Sequence, residues 1–307
     1  GGAFVIGSTA LNDPDDFSSL SSILAYIDPA DGMYLGKQGS YLLYFKKYSI
    51  EMFYDAGSSP GSPLATYPGS KIDFGCANAA SIQKLNEVYF YLSQTRQGQF
   101  AVHAVSSLRD SPVSTPAVNR LLQHAQLATA ATGTIYSWAA NCDGHAYYCI
   151  TFPLANLSLV YDTASGLWSQ WTDADGNYFP YVAAATDANG NVVLLHESNG
   201  QAVYLDPYSY TDLETPISVE IVTPLWDNSN DKKKVIPKIG FQADQVPGSF
   251  LDVRCTDDDY QSWSNWREVD LSQKRPILTG NGTTRARAYH LRHQSPTPFR
   301  LRQVQLH

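Results

Sequence analysis

The chain has 307 residues, 43% hydrophobic and 16% charged, with 20 Tyr, 6 Trp, 21 Gly and 17 Pro, a globular composition weighted toward strand and turn formers. Its net charge of -8 excludes a general nucleic-acid coat, which needs an excess of phosphate-neutralising Lys and Arg. Four cysteines with no CxxC pair exclude a disulfide framework, and no apolar run approaches the roughly 18 residues of a membrane span.

The opening "GGAFVIGSTALNDPDD" has neither the basic n-region nor the apolar core of a signal peptide. Folding in the cytosol with reduced thiols is therefore expected, and a start at Gly-Gly in place of Met leads us to expect natural residues upstream. Behind "NDPDDFSSL" the acidic first turn predicts a short helix from Asp15 to Ala25.

Strand-like runs then recur between turn signals: "SYLLYFKKYSIEMFYDAG", "NEVYFYLSQTRQGQFAVHAV", "HAYYCITFPLANLSLVYDTASGLW" and "YVAAATDANGNVVLLHESNGQAVYLD". Later runs are "ISVEIVTPLW", "KIGFQA", "FLDVRCTDDD", "TTRARAYHLR" and "FRLRQVQL". Alternation closed by Gly- and Asn-centred turns predicts a mostly antiparallel all-β protein made of hairpins. One helix interrupts it near 114–125, in "SPVSTPAVNRLLQHAQLA". Ser114 or Thr115 caps it, Pro116 suits its first turn, and Val118, Leu121, Leu122 and Ala125 form an apolar stripe.

Three runs close on an aspartate: Tyr54-Asp55, Tyr161-Asp162 and Leu205-Asp206. Such a residue accepts hydrogen bonds from backbone N–H groups two residues on and fixes the turn. The step of 44 residues from Asp162 to Asp206 matches the period of four-stranded propeller blades. The expectation is one β-propeller domain over 1–307, built of antiparallel four-stranded blades. Trp168 and Trp171, in the strand after the Asp162 turn, are expected to pack between blades.

Candidate chemistry is sparse. Asp257-Asp258-Asp259 resembles a calcium cluster, but no glycine or distal Glu completes a loop. The competing expectation is a turn like the Asp-box turns of sialidase-type propellers, with Asp258 at its centre and Trp263 packing inward. Cys142, His145 and Cys149 lack a fourth zinc ligand. No GxSxG elbow is present, and a sialidase-like arginine triad would have to be drawn from Arg96, Arg109, Arg120, Arg254 and Arg267, which nothing in the sequence groups. No catalytic residue, cofactor or metal is predicted. Charge is uneven: 274–307 carries seven Lys/Arg and no acid, leaving 1–273 at a net of -15. Arg285 and Arg287 alternate on a predicted strand and would share one face. With Arg292, Arg300 and Arg302 they are the candidate contacts for a DNA channel or a partner. The competing expectation is a solvated face or salt bridges to the acidic part of the chain.

The ordered combination of "LLYFKKYSIEMFYDAG", "IDFGCANAASIQKLNEVYFY", "SPVSTPAVNRLL", "GHAYYCITFPLANLSLVYDTASGLWSQW" and the closing "RARAYHLRHQSPTPFRLRQVQL" resembles the tail hub or nozzle proteins of short-tailed bacteriophages. These are also called packaged-DNA stabilisation proteins or tail accessory factors. The resemblance implies a non-enzymatic propeller made in the host cytoplasm and placed in the virion tail. It implies a homo-hexamer below the portal and its adaptor ring, with a plug or needle and a tailspike or fibre as further partners. Such a tube retains packaged DNA and guides its ejection. Acidic walls fit that task, since Lys/Arg contacts are what hold DNA. The alternative is a glycan-binding or glycan-cleaving, sialidase-like propeller.

Overall fold

A computed structural model describes residues 5–10, 13–57, 62–69, 71–129 and 134–307. The described residues are all-β with one α-helix among them, and they gather into two compact units that divide at Leu205/Asp206, with 173–175 belonging to the second.

The first unit opens with an antiparallel hairpin of Val5–Ala10 and Asp13–Leu24. The helix expected over Asp15–Ala25 is thus a strand. Serine and aspartate are poor helix formers, and the preceding strand offers the segment a ladder, pairing Val5 with Leu24 and Thr9 with Phe17.

Four meander sheets follow, each an up-and-down blade. Blade 1 is Gly32–Gln38, Tyr41–Lys46, Ile50–Asp55 and Leu64–Thr66. In blade 2 the first strand is split into Gly75–Cys76 and Gln83–Leu85, which pair with the same edge of Val88–Gln94. Phe100–Ser106 and Arg109–Pro112 complete it. Blade 3 is Tyr136–Cys142, His145–Phe152, Leu157–Asp162 and Leu167–Gln170. Blade 4 has three strands, Tyr181–Thr186, Val192–His196 and Ala202–Tyr204.

Both faces of an inner blade are buried, so the period-2 alternation of a strand divides its side chains between two cores. Along Val88–Gln94, Tyr89 and Tyr91 join Leu43, Phe45 and Met52 of blade 1. Phe90 and Leu92 turn the other way, to Tyr148, Ile150 and Leu159 of blade 3. Cys149 and Val160 of blade 3 in turn meet Tyr181, Val192 and Leu194 of blade 4. The helix α1, Pro116–Thr129, lies in the connection from blade 2 to blade 3. Thr115 Oγ1 accepts from Val118 N at 3.3 Å, and Val118, Leu122 and Ala125 enter the core between those blades. Leu121, expected on the same stripe, is 42% exposed, since it sits at the stripe's edge.

The second unit has its own core. A four-stranded sheet, in the order Val219–Val222, Ala288–His293, Phe250–Thr256, Arg267–Asp270, lies with a three-stranded sheet of Ile277–Thr279, Lys238–Ala243 and Leu301–Leu306. Leu251, Val253, Val269 and Leu291 of the first sheet pack with Ile239, Phe241 and Leu278 of the second. One face of each sheet is covered, and the other remains for polar and aromatic groups.

Candidate functional site

The turn aspartates use one device at the end of the third strand of three blades. Asp55 Oδ1 accepts from Gly57 N at 2.9 Å, Asp162 Oδ1 from Ala164 N at 3.0 Å and Asp206 Oδ1 from Tyr208 N at 2.9 Å. Blade 2 has Ser106 at that position, which is why the repeat skips a step in the sequence. Burial works against the Asp162 carboxylate, but Ser165, His145 and the Ala164 N–H hold its pKa below the ordinary value. Trp168 donates from Nε1 to Val113 O at 2.9 Å, reaching the chain just before α1. Trp171 turns to the other side, with ring centroids 5.5 Å from Tyr147 and 5.3 Å from Phe179.

The C-terminal arginines are distributed differently from the expectation. The run "TTRARAYHLR" is not one strand: Thr283–Thr284 pairs with Lys234–Val235, the chain bends at 285–286, and a new strand begins at Ala288. That bend corrects the shared face, leaving Arg285 exposed and Arg287 buried. Arg287 grips Asp257 through both carboxylate oxygens at 2.6 Å and donates to Asn281 O. The hydrogen bond to Asp257 raises its pKa further. Arg285 pairs with Asp231 at 3.0 Å, Arg292 with Asp252 at 3.0 Å and Arg302 with Asp244 at 2.8 Å. Arg300 is exposed. The carboxylates lie in the same unit, and 206–307 holds 13 basic and 13 acidic residues. The acidity of the chain therefore resides in 1–205, with 8 basic and 16 acidic residues.

The aspartate triplet is taken apart in the same way. Asp257 serves Arg287. Asp258 accepts from the Ser262 hydroxyl, Thr256 Oγ1 and Ser262 N, and these hydrogen bonds lower its pKa to about 2. Asp259 occupies a turn at φ 54°. No group of His, Cys, Asp or Glu able to hold a metal is found among the described residues. Burial pushes the thiols of Cys76 and Cys149 up to about 12, so neither is a ready nucleophile. Of the arginines a triad would draw on, Arg96 is held by Asp28, and Arg267 by Asn281 Oδ1 and Thr279 O. No helix among the described residues is long and apolar enough to cross a membrane.

Sequence reasoning missed the most concentrated group. Trp263 leaves the inward packing expected of it and lies on the outer face of the four-stranded sheet, with the Arg254 guanidinium 4.9 Å from its ring centroid. Arg254 is also 4.3 Å from the Trp266 ring, and Arg292 is 4.2 Å from that ring. His290 meets both indoles edge-on at 5.4 and 5.0 Å. The signal was present as Trp-Ser-Asn-Trp beside alternating polar residues on two strands, but the pairing of Arg254 with His290 and of Asp252 with Arg292 appears only with the strand register.

The profile of the phage-stabilisation family, described as Bacteriophage P22 Gp10, beta-propeller, matches residues 1–206. The chain belongs to that family. The match ends where the first compact unit ends, so the family resemblance and the bladed architecture occupy the same residues of this chain. Among curated proteins none matches it. Solved structures similar to it include the extracellular domain of a putative one-component system from B. thetaiotaomicron, at 10% identity and TM-score 0.32, over 60% of this chain and 23% of that one. An exo-beta-1,3-galactanase from Phanerochaete chrysosporium aligns at 10% identity and TM-score 0.25 over 99% and 74%. A putative 6-phosphogluconolactonase from Bacteroides uniformis aligns at 8% identity and TM-score 0.32 over 94% and 92%. Scores this low decide nothing about the chain.

Proposed function

We propose that this phage-stabilisation protein is a structural subunit of a short-tailed phage virion, the tail hub or nozzle, which joins its neighbours below the portal–adaptor ring and acts by assembly, not by catalysis. The observation that carries the reading is the family match over the whole bladed unit. Its partners on this reading are further copies in a homo-hexamer, the adaptor ring, and the plug or needle and tailspike or fibre proteins. It is made in the host cytoplasm, works in the virion tail and needs no cofactor.

Charge supports passing contact with DNA in place of tight binding. The bladed half is acidic, and four of the five arginines expected to meet DNA, Arg285, Arg287, Arg292 and Arg302, are engaged by carboxylates, so these four are not free to displace counterions from phosphate. A gel shift at physiological salt should show weak, sequence-independent retardation, and tight binding would overturn the slippery-channel reading.

We also propose that the propeller comprises the bladed unit and that 206–307, with its core between two sheets, is an appended module. The single domain expected over 1–307 is then narrowed to 1–205. Limited proteolysis should cut first near Asp206, and equal resistance along the chain would favour the single domain. The decisive experiment for function is negative-stain microscopy of the protein mixed with its portal–adaptor complex. Six-fold density added below the adaptor is expected; folded protein that stays unbound would overturn the assignment.

A further inference from the structure

Arg254, on the outer face of the second unit's four-stranded sheet, is a cation whose charge meets no carboxylate. Its Nε and Nη2 donate to His290 Nδ1 at 3.1 and 2.9 Å. Because Nδ1 accepts there, the ring proton sits on Nε2, which donates to Glu220 Oε2 at 2.7 Å. Arg254 is thus anchored by a neutral imidazole, and Glu220 is spent on the far side of that ring. Asp252 is spent on Arg292. Among the described residues no carboxylate lies within ion-pair distance of Arg254.

Its guanidinium carbon lies over two indoles, 4.9 and 4.3 Å from their centroids, which restrains the group while its outer N–H groups remain for an acceptor. Of its five N–H groups, those on Nη1 meet no acceptor within the second unit. A second observation points the same way: Arg292, 4.2 Å from the Trp266 ring centroid, has a buried Nε with no hydrogen-bond partner. An acceptor brought by a ligand would satisfy it.

Beside the ladder stands an aromatic surface. Tyr260, 42% exposed, has its ring 6.1 Å from that of Trp263, and its hydroxyl is pinned to Thr223 O at 3.1 Å. It is held at φ 67°, a conformation that is costly for an aromatic residue and gathers where function repays it.

We infer that this face binds an acidic saccharide, its carboxylate or phosphate taken by Arg254 and its ring laid against Tyr260. The site is separate from the assembly role and does not depend on it. The oxyanion supplies a charge-assisted, planar contact, and the flat apolar side of a pyranose fits an exposed phenol ring.

The test is a titration of the full chain, labelled for indole N–H resonances, with glucuronate, inorganic phosphate and glucose. Glucuronate should shift the Trp263 and Trp266 signals saturably, and glucose should leave them in place. Arg254→Lys should weaken glucuronate about tenfold or more, the worth of a hydrogen bond to a charged group. Should that variant lose its dispersed spectrum, Tyr260→Ala decides: severalfold weaker glucuronate with phosphate unchanged is expected, and no change overturns the sugar contact. Phosphate binding as tightly as glucuronate supports the oxyanion site and overturns the saccharide. No saturable response to either anion, an equal response to glucose, or wild-type binding by a folded Arg254→Lys overturns the inference.

Discussion

Lys46 and Glu51 meet inside blade 1 with side chains 0% and 1% exposed, whereas Arg292 and Asp252 meet on the outer face of the second unit's sheet at 26% and 28%. An inner blade has no wet face, so a charge placed there must be met entirely from within. Lys46 Nζ reaches Ala25 O and Asp28 O at 2.7 Å besides Glu51. His103 is treated likewise, with Nδ1 2.7 Å from Asp110, whose other oxygen accepts from Tyr91 at 2.9 Å. A sandwich sheet has one dry face, and its arginines lie on the wet one against indoles and half-exposed carboxylates. Ion pairs therefore differ in consequence: inside a blade, losing one partner strands the other; on the sandwich face, water replaces it.

That contrast orders the effects expected of mutation. Lys46→Met leaves Glu51 uncompensated and should cost about 3–5 kcal/mol in urea unfolding, while adding Glu51→Leu should recover most of it. A double variant as weak as the single would break the comparison. Arg287 belongs with the buried class although it lies in the second unit. Arg287→Ala should cost about 3 kcal/mol, with hydrogen exchange rising in 206–307 and not in the blades. A uniform rise would mean the two units unfold together.

The buried His293, against Ser249 Oγ at 3.0 Å and stacked on Phe299 at 4.5 Å, has its pKa lowered by burial from the ordinary 6.5. Below 6.5 the unfolded chain binds the proton more readily than the fold, so this contribution is intact above that pH and shrinks as the pH falls. Unfolding midpoints should drop as the pH falls below about 6.5, with a shallower slope in His293→Gln. Asp258 acts in the same direction at lower pH: its lowered pKa means that its turn contributes above about pH 4 and fades toward pH 2. Asp162→Ala, losing the turn bonds after the third strand of blade 3, should cost about 1 kcal/mol. Arg302→Ala, at an exposed pair, should cost less than about 1 kcal/mol; a larger loss would show that the outer faces are not as water-tolerant as the comparison holds.

The all-β class, the hairpins, the Thr115-capped helix and the Asp-closed third strands were legible because each is a local rule: alternation, turn chemistry and capping involve residues a few positions apart. The Asp15–Ala25 segment was misread because an acidic first turn is a weak signal beside a neighbouring strand that supplies a complete ladder. The basic C-terminal stretch was legible as composition and misleading as a surface, because the carboxylates that engage four of its arginines lie far along the chain. Arg285 meets Asp231 and Arg287 meets Asp257, and only the strand register brings such residues together.

By itself, then, the sequence determined the all-β class and the turns that separate the strands, since those depend on backbone preference and on side chains within one hairpin. Tertiary structure alone decided which face of each strand meets which blade, where the bladed unit ends and the sandwich begins, and that Arg254 stands between two tryptophans with no carboxylate to answer it. Those outcomes depend on pairing between distant strands, and a strand shifted by one residue would present the opposite face with the same local sequence.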